Sequence, residues 1–372
     1  LKEVPAGVRV IEMGKSPRWR SRLYLRKLAR KYDVGISRER LLRGKIPNPG
    51  RMVAGVVRYL RKERPDAVLT SMTPNNIVVL WARAISGLST RVVIREAIHL
   101  SSEIDFDRRN FDDILPTLVA AWYPKADAVI AVSQGVADDL ANRGAVETER
   151  ILVIPNGYDI ENIQAQAAQA VDDPWFAEGA PPLILAAGRL VDQKGFDVLL
   201  RAFAELHRHR PSLRLMILGQ GEERSTLERQ VEELGLGAAV RLPGALGDIF
   251  ARMSKAAVFV LSSRHEGFPN VLVEAMAAGC PVVASDCPSG PREILDNGRF
   301  GPLVPVGDPQ ALAQAILNRL DAPRDTEALR GRATEFSLEI TTRRYLEALI
   351  PSHPNAGAAP LRAGAGAQGP LG

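Results

Sequence analysis

Two carboxylates bracket a turn in HEGFPNVLVEAMAAG, residues 265–279. Glu266 precedes Gly267-Phe268-Pro269-Asn270, and Glu274 follows it by about one helical turn. Pro269 suits the first position of a helix and Gly279 its C-terminal cap. Val271, Leu272, Ala275, Met276 and Ala278 would form its packed face. The helix then starts at the turn with free backbone N–H groups and the positive end of its dipole, a site for an anion such as a diphosphate. Glu274 lies where a carboxylate can accept hydrogen bonds from vicinal ribose hydroxyls. Glu266 can reach hydroxyls beyond the phosphates. That spacing fits a nucleotide joined through diphosphate to a polyhydroxylated group. The competing reading is two solvated surface acids.

A second set of residues narrows the choice. Gly188-Arg189-Leu190 follows an apolar run, and Lys194-Gly195 precedes a helical pattern. Arg189 offers a planar fork and Lys194 a point charge, both suited to phosphate oxygens. Two cations beside a helix N-terminus could neutralise a leaving diphosphate without a metal. Other motifs are weaker. Asp105-Phe106-Asp107 has the form of a metal-chelating Asp-x-Asp, yet SSEI precedes it and two arginines follow, as in a solvated loop with local ion pairs. Gly219-Gln220-Gly221 lacks the third glycine of a dinucleotide fingerprint. Cys280 and Cys287 have no partners at metal-ligand spacing and read as buried thiols of a reduced compartment. No metal and no cofactor are expected.

The elements that must position these groups alternate between short apolar runs and longer helical patterns, which argues for parallel α/β architecture. In the first half, Val8–Ile11, Ala67–Thr70, Arg91–Arg95, Ala128–Val132 and Ile151–Ile154 read as strands. Helices are expected at Ser16–Tyr32, Pro49–Arg64, Pro74–Ser86 and Arg109–Trp122. The second half repeats the alternation. Strands Leu183–Ala187, Arg214–Leu218, Ala257–Leu261 and Val282–Ser285 are interleaved with helices at Phe196–Arg208, Arg224–Leu234, 269–279 and from Arg292. Two doubly wound domains facing a cleft follow: 1–157, a linker at 158–181, and 182–335, which holds the acids and cations described above. A C-terminal helix at 336–350 and a Gly/Ala/Pro-rich, disordered tail at 351–372 complete the division.

Of the 372 residues, 46% are hydrophobic and 24% charged, ordinary for a globular protein with a sizeable core. No apolar run approaches the roughly 18 residues of a membrane-spanning helix. Residues 1–64 hold 19 Lys/Arg against 5 Asp/Glu, while the rest carries 29 against 38. A basic front half suggests an anionic surface or ligand. SPRWRSRLYLRKLARKY carries seven of these cations and no acid, with Tyr24, Leu25, Leu28 and Tyr32 on one helical face. It reads either as a core-facing helix with a basic outer face or as a helix lying on an anionic membrane at 16–32.

GRLVDQKGFDVLLRAF, ILGQGEE, RLPGALGD, SSRHEGFPNVLVEAMAAGCPVVASDCPSGPREIL and VIPNGYD together resemble family 4 of the glycosyltransferases over about residues 90–350. The resemblance implies the GT-B fold and a metal-independent, retaining transferase using a UDP- or GDP-linked sugar. It implies that Arg189 and Lys194 grip the diphosphate and that Glu274 reads the ribose. Glu266, with Gly267, Phe268, Pro269, Asn270, Val271 and Leu272, would hold the sugar, and Pro243, Gly244 and Ala245 would lie near the base. It also implies a functional histidine after a first-domain strand, for which His99 is the candidate, with Arg95 and Glu96 as further candidates. The acceptor would be a saccharide, free or lipid-linked, in bacterial surface-glycan assembly, with no nucleic-acid partner. The expected location is cytoplasmic, up to the inner face of the membrane. A nucleotide-sugar epimerase and a non-catalytic nucleotide-sugar-binding protein are the alternatives. Nothing here matches the family's N-terminal strand and glycine-rich loop, so the first domain is expected to be incomplete at its N-terminus and the chain a fragment.

Overall fold

The computed structural model describes residues 7–12, 16–30, 48–102, 115–143 and 145–351. In the first half, α1 (Arg18–Leu28) precedes a 3-10 turn that enters α2 (Val53–Glu63). Then β1 (Ala67–Ser71), α3 (Thr73–Ser86), β2 (Arg91–Glu96), α4 (Leu115–Trp122), β3 (Ala128–Ala131), α5 (Gln134–Asn142) and β4 (Ile151–Val153) alternate. The four strands run parallel in the order β1-β2-β3-β4. Both faces are covered, so β3 is apolar and buried throughout and β2 is so over Val92, Val93 and Ile94.

Val8–Ile11 is not a strand. It lies in coil, with Val8, Val10 and Ile11 exposed and Arg9 ion-paired to Glu63 at 2.6 Å. Its alternating pattern imitates a strand, but among the described residues no neighbouring backbone completes a ladder. The α1 helix turns Leu25 and Leu28 into the core against α2 and α3, leaving Trp19 and Leu23 exposed beside its basic residues. That is the core-facing arrangement. Asp105 and Asp107 fall outside the described residues, as does the tail beyond Pro351.

Residues 158–181 are no free linker. They contain α6 (Ile160–Ala167), which buries Ile160, Ile163 and Ala167 at helical spacing, and a 3-10 turn that buries Trp175. The second half continues with β5 (Leu183–Ala187), α7 (Phe196–His209), β6 (Arg214–Leu218), α8 (Arg224–Glu233), β7 (Val240–Gly244) and α9 (Ile249–Lys255). Then come β8 (Val258–Leu261), α10 (Asn270–Ala277), β9 (Val282–Ser285), α11 (Pro291–Ile294) and β10 (Leu303–Val304), followed by α12 (Pro309–Asp321) and α13 (Thr326–Thr334). The helix expected from Arg292 lasts a single turn, because Asp296, Asn297 and Gly298 all take positive φ. The six strands are parallel in the order β10-β9-β8-β5-β6-β7. This is the doubly wound order 3-2-1-4-5-6, whose switch point lies between β5 and β8.

The final helix, α14 (Leu338–Leu349), leaves the second domain and packs on the first sheet. Ala348, with Tyr345 and Leu349 beside it, meets Val93, Ala128, Ile130 and Ile154. Arg91 donates to the Ala348 carbonyl at 3.0 Å, and Arg344 to that of Val153. The chain therefore crosses between the domains twice. The crossings lie side by side, with Tyr158 N–H donating to Phe336 O and Leu338 N–H to Tyr158 O, each at 2.9 Å.

Candidate active site

Ligands of doubly wound sheets bind beyond the carboxyl ends of the strands at the switch point. Here the segment after β5 carries Arg189 and Lys194, and the segment after β8 carries Glu266 and the turn into α10. Lys194 Nζ lies 2.6 Å from Glu266 Oε1, and the same oxygen accepts from Ser263 Oγ at 2.6 Å. Side-chain exposure of the pair is only 15% and 7%, so the two charges share a largely dry site. Backbone contacts keep the segments together. Ser262 donates to Lys194 O, Gln193 to His265 O, and Arg264 bonds Asp192 O and Asp197. Gly195 is required between them: its φ is +60°, and an added Cβ would collide with Ser262 O. Arg189 is exposed at the mouth, with one long contact to Gln193 at 3.4 Å.

The turn residues divide by what faces the site. Phe268 is buried edge-on against Phe336 and Leu272 is fully buried, so both serve the site through backbone alone. The helix begins at Asn270, one residue later than its sequence signal, with Pro269 as its cap and Gly279 in the left-handed region after its end. Leu272 N–H is used by Pro269 O at 3.0 Å. No described residue accepts from the N–H groups of Asn270 or Val271, so they point from the helix end as free donors.

Glu274 is half-buried, and its carboxylate accepts no hydrogen bond from a described residue. Burial raises its proton affinity, and its charge acts on the nearby Tyr158 hydroxyl. An unsatisfied, partly desolvated carboxylate is suited to a diol that donates twice. Pro243 and Gly244 close β7, at the same carboxyl edge but on the outer strand, with Ala245 immediately after. Gly219 N–H donates to Gly244 O at 2.9 Å, drawing the 219–221 turn beside them.

From the first domain, the segment after β2 meets this site directly. Gly267 lies so close to Ala97 that a Cβ on it would collide with the Ala97 carbonyl. His99 follows, its Nδ1 bonded to Ser102 Oγ at 2.9 Å, and it acts electrostatically on His265, whose proton affinity is lowered chiefly by burial. The structure thus brings His99 to the Gly267 and His265 side of the site. Glu96 is excluded as a group that touches a substrate: it is fully buried, accepting from Tyr123 at 2.6 Å, Thr73 at 2.9 Å and Ala97 N–H at 3.1 Å. Burial raises its proton affinity against these bonds. Its work is to hold the 97–99 segment. Arg95 is likewise committed, to Ser71, Tyr345 and Asn156.

A seam between the domains was not legible in the sequence. Glu293 on α11 accepts from Gln134 N–H at 2.7 Å and Gly135 N–H at 3.1 Å, capping the N-terminus of α5 from the opposite domain. Ser133 and Ser289 hydroxyls lie 2.6 Å apart and both donate to Gly267 O at 2.8 Å. Burial pushes the carboxyl of Glu293 up, and the two N–H bonds oppose that shift. The two cysteines are buried, with thiols pushed up to about 12. Among the described residues, no group of three or more His, Cys, Asp or Glu side chains could hold a metal ion.

Two family models match the chain, one over each half. The family described as "Glycosyl transferases group 1" matches residues 148–336, and "Glycosyltransferase Family 4" matches residues 5–162. The chain is similar to an N-acetylgalactosamine-N,N'-diacetylbacillosaminyl-diphospho-undecaprenol 4-alpha-N-acetylgalactosaminyltransferase of Campylobacter jejuni, 32% identical over 72% of this chain and 70% of the relative. It is also similar to the lipopolysaccharide core biosynthesis glycosyltransferase LpsE of Rhizobium meliloti, 30% identical over 79% and 78%. In fold it resembles Alr3699/HepE of Anabaena, solved in complex with UDP and glucose. That likeness has a TM-score of 0.69 and 24% identity, covering 80% of each chain.

Proposed function

The chain belongs to the group 1 glycosyltransferases, and from that premise we propose that it moves a hexose from a UDP- or GDP-linked donor to a saccharide or lipid-linked saccharide during bacterial surface-glycan assembly. The Lys194–Glu266 pair carries the reading: a largely buried cation and carboxylate meet beyond the carboxyl ends of β5 and β8, four residues before the free N–H groups that open α10. In this reading Glu274 holds the ribose, and Pro243 to Ala245 border the base. Glu266 and the 267–272 backbone hold the sugar, and His99 reaches it from the first domain. Arg189, Lys194 and the helix end stabilise the charge that develops on the leaving diphosphate. No step calls on a metal. Transfer retains configuration, with the diphosphate assisting the incoming hydroxyl from the same face.

The acceptor approaches from the first domain, and its lipid is reached at an anionic membrane. Exposed Trp19 and Leu23, among Arg20, Arg26 and Lys27 and beside Arg58, Arg61 and Lys62 of α2, support that contact. Among the described residues, no helix is long and apolar enough to cross a membrane. A panel of UDP- and GDP-sugars, offered with saccharide and polyprenyl-diphosphosaccharide acceptors and followed by product linkage mapping, tests the assignment. One donor is expected to give a new glycosidic bond of unchanged anomeric configuration. Free nucleotide with an epimerised sugar and no acceptor product would overturn it.

A further inference from the structure

Arg95 leaves the end of β2 on the side opposite Glu96, and three of its N–H groups are bound within the protein. Nε donates to Tyr345 Oη at 2.9 Å, Nη1 to Ser71 Oγ at 2.9 Å, and Nη2 to Asn156 Oδ1. Asn156 then donates through Nδ2 to Asn270 Oδ1 at 2.7 Å, and Tyr158 Oη donates to the same oxygen at 2.7 Å. Asn270 is the first residue of α10 and is exposed, and no described residue bonds its Nδ2.

The polarity of this chain is chemically forced. A guanidinium can only donate, so the Asn156 side chain must turn its oxygen to Arg95 and its NH2 onward. That NH2 in turn obliges Asn270 to turn its oxygen inward. The Asn270 side chain is therefore left with its NH2 outward, a side-chain donor beside the backbone N–H groups of the helix end. The relay spans the first-domain sheet, the returning α14 and the Pro155–Tyr158 crossing, so it forms only with the domains in this mutual arrangement.

We propose that Arg95 and Asn156 are positioning residues that fix the hydrogen-bond polarity of Asn270, so that the site presents a donor to an acceptor oxygen of the transferred sugar. This rests on the reading of residues 267–272 as the sugar-holding turn. The arginine acts through two amides without touching substrate, selecting among donor sugars and not among bases.

The test uses the full chain and calorimetric titration with UDP, UDP-glucose, UDP-N-acetylglucosamine, GDP and GDP-mannose. Asn156→Asp keeps the partner of Arg95 but can no longer donate, so the Asn270 amide must turn its NH2 inward and its oxygen out. Affinity for the preferred sugar nucleotide is expected to fall about tenfold, the scale of one hydrogen bond reversed, while affinity for the matching free diphosphate is unchanged. Asn270→Asp imposes an outward oxygen directly but also sets a carboxylate beside the diphosphate, so both ligands should weaken, the sugar nucleotide about tenfold more than the free diphosphate. In an Asn270→Ala background, Asn156→Asp should add nothing. Equal losses for sugar nucleotide and free diphosphate, additive effects in the double variant, or an unchanged affinity ratio in Asn270→Asp would each overturn the relay. Failure of the unsubstituted protein to bind either diphosphate would overturn the nucleotide-sugar reading beneath it.

Discussion

Glu274 joins the site as a half-buried carboxylate whose proton affinity is raised by burial. Its charged form is the one that accepts from a ribose diol. The folded-state pKa is raised, so the charge is lost as pH falls through a value above that of an ordinary glutamate. Nucleotide affinity should therefore weaken on mild acidification. Glu274→Gln should remove that pH dependence and weaken binding at neutral pH by about 10- to 100-fold, the cost of a lost charged hydrogen-bond acceptor. UDP titrations across pH on both proteins check this, and an identical acid limb in the variant would assign the titration to another group. The grouping of Glu266, Glu274, Arg189 and Lys194 at one end of the second sheet was legible because type, spacing and the neighbouring turn are local properties. Glu293 and Asn156 were not, since their partners lie 159 and 114 positions away and only folding defines them.

At the scale of elements, the seam between α5 and α11 makes an opposed pair of expectations for Gly135. Within an isolated helix, alanine is favoured over glycine by about 1 kcal/mol. Across the seam, an alanine Cβ would stand 2.8 Å from Pro288 O and 3.0 Å from Ser289 Cβ. Gly135→Ala should thus leave the first domain's melting temperature unchanged or higher while forcing the domains apart. Small-angle scattering should show a larger radius of gyration, and the KM for donor should rise with it; a scattering curve identical to the unsubstituted protein's would rule the seam out as a closure contact. Strand alternation made most of the sheet order readable. It failed where the signal had a second meaning. Val8–Ile11 alternates without a ladder to join, whereas Val240–Gly244 pairs as an edge strand despite Pro243, because an edge tolerates proline. The buried stripe of α6 was present in the sequence and masked by its polar surroundings.

Over the whole molecule, cations are concentrated before residue 65, whereas the Lys194–Glu266 site lies in the second domain. Vesicles containing phosphatidylglycerol should bind the protein at low ionic strength and release it at high salt, at about 1 kcal/mol per engaged basic residue. Replacing Trp19 and Leu23 by serine should weaken that binding, since neither side chain supports the core. Equal cosedimentation with neutral phosphatidylcholine vesicles would count against an electrostatic membrane contact. Two doubly wound domains were legible from two rounds of alternation, and the GT-B fold from the family resemblance. The interlocking of its halves was not, because a C-terminal amphipathic helix carries no mark of which domain it will cover.

That interlocking makes the first domain discontinuous in the gene while the second is an uninterrupted insert. Residues from about 160 to 336 could be expressed as one contiguous piece, but no single contiguous piece yields the first domain with α14 on its sheet. A premature stop after Phe336 would spare Arg189, Lys194, Glu266 and Glu274 and strip the partner domain of its cover. A fluorophore or affinity tag fused after Ile350 would ride with the basic, acceptor-side domain. Distance changes between such a label and one on the second domain would then report directly on opening and closing of the cleft.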